Sequence, residues 1–111
     1  MNKIAVIYNP NAGNSKIKKL LQIKERLSLN NSVTIFDTQK PGDATEIASK
    51  EYKNFDVIVA AGGDGTINEV INGIDKNTKL GIIPLGTANI LAIEAGIKTD
   101  VKSICKLIEE G

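Results

Sequence analysis

Histidine is absent from this 111-residue chain, and cysteine occurs once. Without histidine there is no imidazole acid–base catalysis and no histidine-ligated metal. A single cysteine, Cys105, cannot close an internal disulfide or build a cysteine-rich zinc site. Charge of one sign is lacking too: 14 basic residues face 13 acidic ones, for a net charge of +1. That balance gives no reason to expect nucleic acid or an acidic surface as partner. The one local run, Lys16, Lys18 and Lys19, reads as the wet face of a helix. No apolar run approaches the ~18 residues of a membrane span, and no signal peptide opens the chain. A cytoplasmic protein is therefore expected. Linkers, low-complexity segments and tandem repeats are missing as well, so one domain is expected over residues 1–111.

What is present is an alternation of short apolar runs and amphipathic segments. Lys3 to Tyr8 reads as a buried strand and Val33 to Phe36 as a second. Val57 to Ala61 and Lys79 to Ile83 follow as the third and fourth, the last stopped by Pro84. Between them lie helices with apolar stripes: Ile17, Leu20, Leu21 and Leu27, capped by Ser15; then Ala44, Ile47, Ala48 and Tyr52, with Asp43 as N-cap and Glu46 as its partner. Ile67, Val70, Ile71 and Ile74 form the next stripe, closed by Gly73 as a C-terminal stop. A helix from Leu85-Gly86-Thr87-Ala88-Asn89 to Gly96 is predicted, and a last one capped by Asp100 that buries Val101, Ile104, Cys105 and Ile108. Cys105 on that apolar face reads as a core residue. Strand–helix alternation predicts an α/β fold: a three-layer, Rossmann-like parallel sheet with right-handed crossovers and helices on both faces.

In such a sheet all strand-to-helix loops share the carboxyl edge. Here they are Asn9 to Asn14, Asp37 to Asp43, Gly62 to Asn68 and Pro84 to Asn89, rich in Gly, Asn and Thr. The opposite edge carries plain spacers, so the site is expected at the carboxyl edge. The chain is organised around Asp56 to Asn68, where the apolar run stops at Gly62-Gly63-Asp64-Gly65-Thr66. Three glycines in four positions permit φ > 0 and close approach of another group, and Asp64 between them presents its carboxylate outward. Thr66 is expected to open a helix, with Glu69 completing a capping box, so that free N–H groups and the positive dipole end face a phosphate-like anion. Capping alone, or a tight Gly-Asp-Gly turn, is the plainer account of the same residues. The pattern Gly-Thr-x-Asn recurs at Gly86-Thr87-Ala88-Asn89, and two matched helix starts facing one cleft are expected.

Other anion sites are excluded. No Gly-x-x-x-x-Gly-Lys-Ser/Thr occurs, and Gly63-x-Gly65-x-x-Asn68 misses the third glycine of the dinucleotide fingerprint. A phosphoacceptor receiver domain needs acidic residues after the first strand, where this chain has Asn9-Pro10-Asn11. With phosphate at the glycine loop, Asp64 has two open roles: holding Mg²⁺, or accepting a proton from a substrate hydroxyl.

Four motifs in order resemble the diacylglycerol kinase catalytic-domain family, which includes bacterial lipid kinases and sphingosine kinases. They are Tyr8-Asn9-Pro10-x-x-Gly13, Thr38 with Gly42-Asp43-Ala44, Gly62-Gly63-Asp64-Gly65-Thr66-x-Asn68-Glu69-Val70, and Gly81-Ile82-Ile83-Pro84-x-Gly86-Thr87-x-Asn89. The resemblance implies the N-terminal domain type shared with NAD kinases, and transfer of the ATP γ-phosphate, with Mg²⁺, to a lipid hydroxyl. It carries nucleotide contacts onto Asn9, Pro10, Asn11, Ala12, Gly13, Thr38, Gly62, Gly63, Asp64, Gly65, Thr66, Ile67, Asn68 and Thr87, of which Pro10 and Ile67 in the plainer account only shape the loops. Ile90, Leu91, Ala92 and Ile93 stand where the family usually has Asp, an aromatic, Ala and Arg. The family's further β-rich domain, with its lipid contacts, would begin about where this chain ends. A nucleotide-binding domain of a larger enzyme is thus expected, with peripheral membrane contact through the missing part. The alternatives are a soluble-substrate kinase of the NAD kinase type and a non-catalytic nucleotide-binding module that acts by pairing, as a homodimer.

Overall fold

The structure, a computed structural model, describes residues 2–11, 17–85 and 100–110. Within them strands and helices alternate: β1 (Lys3–Tyr8), α1 (Ile17–Leu27), β2 (Ser32–Asp37), α2 (Asp43–Glu51), β3 (Val57–Gly62), α3 (Asp64–Gly73), β4 (Leu80–Pro84) and α4 (Val101–Glu110). The strands form one four-stranded sheet in the order β2-β1-β3-β4, every neighbouring pair parallel. The expected three-layer α/β architecture is present.

β1 and β3 are central, and burial on both faces explains why their sequences show no polar alternation. Successive side chains still point to opposite faces. Ile4, Val6 and Tyr8 join Val57, Val59 and Ala61 beneath α1 and α4, where Leu20, Ile23, Leu27, Ile104, Cys105 and Ile108 close the layer. Ala5, Ile7, Ile58 and Ala60 face the other way, against Ala44 and Ala48 of α2 and Ile67 and Val70 of α3. Both residues that α2 buries in the second layer are alanines, and its two helices approach closely. A methyl group placed on Gly73 would run into the Thr45 carbonyl oxygen and come within 2.8 Å of the Ala48 Cβ.

Several local expectations change. In α1 the buried stripe is Leu20, Ile23 and Leu27, whereas Ile17 and Leu21 are 39% and 52% exposed. Leu21 sits about 100° around the helix from Leu20, beyond the reach of the sheet. In α3, Ile71 flanks the stripe and is 44% exposed. Gly73 does end α3, but without positive φ; the Thr45 and Ala48 contacts are the reason for a glycine there. Pro84 belongs to β4 instead of stopping it, paired with Gly62. A residue without an N–H is tolerated in an edge strand.

The helix starts divide in the same way. Asp100 caps α4 as expected, its Oδ2 accepting from the Ser103 N–H at 3.0 Å. Asp43 does not cap α2; Gly42 does, in the left-handed region at φ 91°. Glu46 reaches forward to Lys50 at 2.9 Å instead of back. The capping box of Thr66 and Glu69 is also not formed, because α3 begins two residues earlier, at Asp64, with Gly63 as its N-cap. Ser15 lies outside the described residues, as does the helix expected from Leu85 to Gly96 beyond Leu85 itself.

Candidate functional site

The chain leaves β1 toward β2 on one side and returns as β3 on the other. The loops after β1 and β3 therefore diverge, and the crevice between them is the topological switch of the sheet. Backbone hydrogen bonds carry the ladders past the strand ends: Asn9 N donates to Ala61 O at 3.1 Å, Thr38 N to Tyr8 O at 2.9 Å and Leu85 N to Gly62 O at 3.0 Å. Each loop thus leaves the carboxyl edge from a fixed point. Over this edge lies a cleft of about 190 Å³ lined by Asn9, Asn11, Thr38, Gln39, Lys40, Pro41, Ala44, Thr66 and Glu69. Asn9 and Asn11 of the Asn-Pro segment share this cleft with Thr66 at the end of the aspartate turn.

The junction of β3 and α3 leads into this cleft through Thr66, while Gly62, Gly63, Asp64 and Gly65 are not among its lining residues. Gly63 has an extended backbone (φ −89°, ψ −170°) and no side chain to cap the helix. The first N–H groups of any helix lack carbonyl partners within it; in α3 the first such bond is Ile67 N to Gly63 O at 3.1 Å. Asp64 stands half-buried in that first turn, at the positive end of the helix dipole. Thr66 lies two residues further along the helix, 6% exposed, and its Oγ1 accepts a long contact of 3.4 Å from Asn9 Nδ2. This contact joins the loops on the two sides of the switch.

The glycines act differently from expectation. Among the described residues only Gly42 has positive φ, so Gly62, Gly63 and Gly65 need no left-handed backbone. Close approach does hold at Gly62, but the approaching group is the protein's own: a Cβ there would lie 2.6 Å from Thr66 Oγ1 and 2.8 Å from Thr66 Cβ. At Gly65 a Cβ would meet nothing within 4 Å. One glycine lets α3 fold tightly back on β3, and the other leaves open space over the first turn.

The second wall is the β2–α2 loop. Asp43 Oδ2 accepts from Gln39 N at 2.8 Å and Lys40 N at 3.1 Å, turning the loop back over α2. Thr38 is nearly buried at its base. Of the residues expected at the site, Asn9, Asn11, Thr38 and Thr66 line the cleft. Asn11 is set by a local turn, its N–H donating to Asn9 Oδ1 at 2.9 Å. Pro10 is exposed beside them, Gly62 is buried beneath, and Gly65 and Asn68 are exposed on α3. The Ile67 side chain is fully buried in the core and faces away from the cleft. Ala12, Gly13 and Thr87 lie outside the described residues.

Sequence reasoning missed Gln39, Lys40, Pro41, Ala44 and Glu69 as lining residues. The signal for the first three was available, since their loop was placed at the carboxyl edge. Lys40 is the only cation among the described lining residues, and no carboxylate pairs with it there. The donors are otherwise amides, hydroxyls and helix N–H groups, a set suited to phosphate oxygens or sugar hydroxyls. Among the described residues no group of three His, Cys, Asp or Glu side chains could hold a metal by itself. No helix among them is long and apolar enough to cross a membrane.

Comparison with known proteins converges on one family. The family described as "Diacylglycerol kinase catalytic domain" matches residues 3–111. A protein named diacylglycerol kinase from Staphylococcus saprophyticus is 43% identical over 114 aligned positions, covering 96% of this chain and 37% of that protein. One of the same name from Staphylococcus aureus is 41% identical, covering 96% and 36%. The crystal structure of a diacylglycerol kinase from Bacillus anthracis superposes with a TM-score of 0.84 at 30% identity, over 98% of this chain and 42% of that one. This chain therefore spans little more than a third of the curated relatives it matches. Over that third, sequence and backbone fold agree, and the chain belongs to the diacylglycerol kinase catalytic-domain family.

Proposed function

We propose that this chain is the nucleotide-binding part of an ATP-dependent kinase whose acceptor is the hydroxyl of a diacylglycerol-like lipid. The cleft at the β1/β3 switch, walled by Asn9, Thr38 and Thr66, is the observation that carries this reading. Phosphoryl transfer depends mainly on positioning and on stabilising negative charge. The first turn of α3 supplies oriented N–H groups for phosphate oxygens, Asn9 and Thr66 supply side-chain contacts, and Lys40 supplies positive charge at the rim. At about 190 Å³ the cleft is smaller than the ~300 Å³ of an enclosing ligand pocket, so it holds part of a nucleotide and leaves the rest along the edge.

Mg²⁺ fits this donor set in one way. The ion keeps several waters and takes one or two carboxylates plus substrate phosphates, so a lone Asp64 suffices where a metal held by protein alone would need more. Bound there, it would neutralise phosphate charge. Acceptance of a proton from the substrate hydroxyl remains the other role for Asp64. The name of the relatives favours diacylglycerol as acceptor over a soluble substrate such as NAD.

Calorimetric titration of Mg²⁺-ATP into the 111-residue chain and into Gly63→Val tests the site. The bulky side chain at the helix start should weaken binding at least about tenfold; equal binding by both proteins would remove the glycine loop from the mechanism. Asp64→Asn separates the roles, since a metal ligand would lose the Mg²⁺-dependent part of ATP affinity and a proton acceptor would keep it. The 111 residues alone are expected to phosphorylate lipid poorly or not at all, because the remaining part of the relatives is expected to supply acceptor contacts. Assay of the longer parent protein with diacylglycerol and with NAD then decides the acceptor.

A further inference from the structure

Glu69 is the only carboxylate among the described residues lining a cleft suited to an anion. Left to itself, such a group would repel phosphate. Its Oε1 instead accepts from the Gly42 N–H at 3.1 Å, 27 positions away in sequence. Gly42 is the only described residue with positive φ, at 91°, and it occupies the N-cap position of α2. The same residue binds that region a second time: Glu69 O accepts from Thr45 Oγ1 at 2.7 Å. The loop between β2 and α2 is thus fastened twice, internally by Asp43 through Gln39 N and Lys40 N, and externally to α3 by Glu69.

That loop carries Thr38, Gln39, Lys40 and Pro41, the wall facing Asn9 and Thr66. α3 carries the helix start proposed to meet the nucleotide. We propose that Glu69 is a positioning residue for this site: its carboxylate ties the β2–α2 loop to the glycine-loop helix and so sets the distance between the two walls. The functional consequence rests on the nucleotide reading above; the tie itself does not. A hydrogen bond from a backbone N–H to a carboxylate is stronger than a neutral one, and a loop that must be reordered on binding lowers affinity.

Two substitutions separate this role from its rivals. Glu69→Gln keeps an oxygen able to accept from Gly42 N–H, whereas Glu69→Ala removes it and leaves the Thr45 bond to the backbone intact. Two readouts are taken on the 111-residue chain: the ATP dissociation constant, and exchange of the Gly42 amide proton by NMR without ligand. Glu69→Ala should weaken ATP binding roughly tenfold and speed Gly42 exchange by a similar factor, while Glu69→Gln, which keeps a weaker neutral acceptor, falls clearly between it and wild type, about threefold from wild type in both. If Glu69→Gln loses as much affinity as Glu69→Ala, the charge itself serves the ligand or its metal and the proposal fails. If Glu69→Ala lowers the unfolding midpoint without changing ATP affinity, the role is only structural and the proposal fails again. Should wild type bind no ATP, the nucleotide reading falls; the tie is then judged on exchange alone, and equal Gly42 rates in wild type and Glu69→Ala overturn it.

Discussion

Alanine at Gly62 and at Gly65 is the same chemical change three residues apart, and the structure assigns the two opposite signs. At Gly62 the new Cβ would lie 2.6 Å from Thr66 Oγ1, 2.8 Å from Thr66 Cβ and 3.1 Å from Thr66 Cγ2. Rotation of the Thr66 side chain relieves at most one of the first and third contacts and cannot relieve the second, because Cβ is fixed to the helix backbone. The first turn of α3 must therefore move away from the end of β3, in a fully packed layer where Gly62 is buried. Overpacking of this kind costs about 1–3 kcal/mol. Positive φ plays no part, so the effect is steric alone. At Gly65 the Cβ meets nothing within 4 Å inside α3, and replacing a helical glycine should gain about 0.4–1 kcal/mol. In a domain of this size 1 kcal/mol moves the thermal midpoint by about 4–6 °C. Gly62→Ala should thus melt roughly 5–15 °C lower and Gly65→Ala a few degrees higher. Urea unfolding at constant m checks that both remain two-state. ATP titration adds a second axis: Gly65→Ala should lose affinity while gaining stability, since its methyl group enters the open space over the helix start. Gly62→Ala at wild-type stability, or both variants shifting alike, would refute the packing argument.

Gly73→Ala should destabilise by about 1–3 kcal/mol despite the better helix propensity of alanine, because its Cβ meets the Thr45 carbonyl oxygen as well as Ala48. A neutral result by urea denaturation would return Gly73 to the role of a helix stop. Asp100→Ala should cost about 1 kcal/mol through loss of the α4 cap and leave ATP affinity unchanged, a pairing that titration and denaturation check together. Burial pushes the Cys105 thiol up, with Arg26 drawing it down and Glu109 raising it to smaller extents. The folded state thus favours the neutral thiol. Its stabilising effect is full below the unfolded thiol value of about 8.5 and is lost as pH rises through the folded value. The stability difference between wild type and Cys105→Ala should therefore shift against wild type as pH rises from about 8.5 through the folded value; a difference independent of pH from 7 to 10 would sink the assignment.

Much of the site could be read without coordinates, and the reason is local. Uninterrupted apolar runs at β1 and β3 require burial on both faces, which only a central parallel strand provides. Four glycine- and asparagine-rich loops after strands then collect at one edge by topology alone. Topology placed their loops there and the family resemblance singled out Asn9, Asn11, Thr38 and Thr66, four residues that line the cleft. The helix face of α4 and its Asp100 cap were equally legible, because cap and helix are neighbours in sequence.

Where the linear reading went astray, one residue type had two uses. Asp43, Thr66 and Glu69 are good capping residues, and each fits a helix-start pattern within four positions. In the folded chain Asp43 holds the loop before it, Thr66 packs on Gly62 and meets Asn9, and Glu69 reaches Gly42. Gly73, similarly, looks like a stop and serves as a gap for another helix. Sequence periodicity by itself determined the layers, the sheet edge that carries the chemistry and the residue types gathered there, since these follow from burial pattern and chain direction. Only the tertiary structure decided which polar groups hold one another across the switch. Partners 27 and 57 residues apart are chosen by how closely the layers pack, and no local pattern encodes that distance.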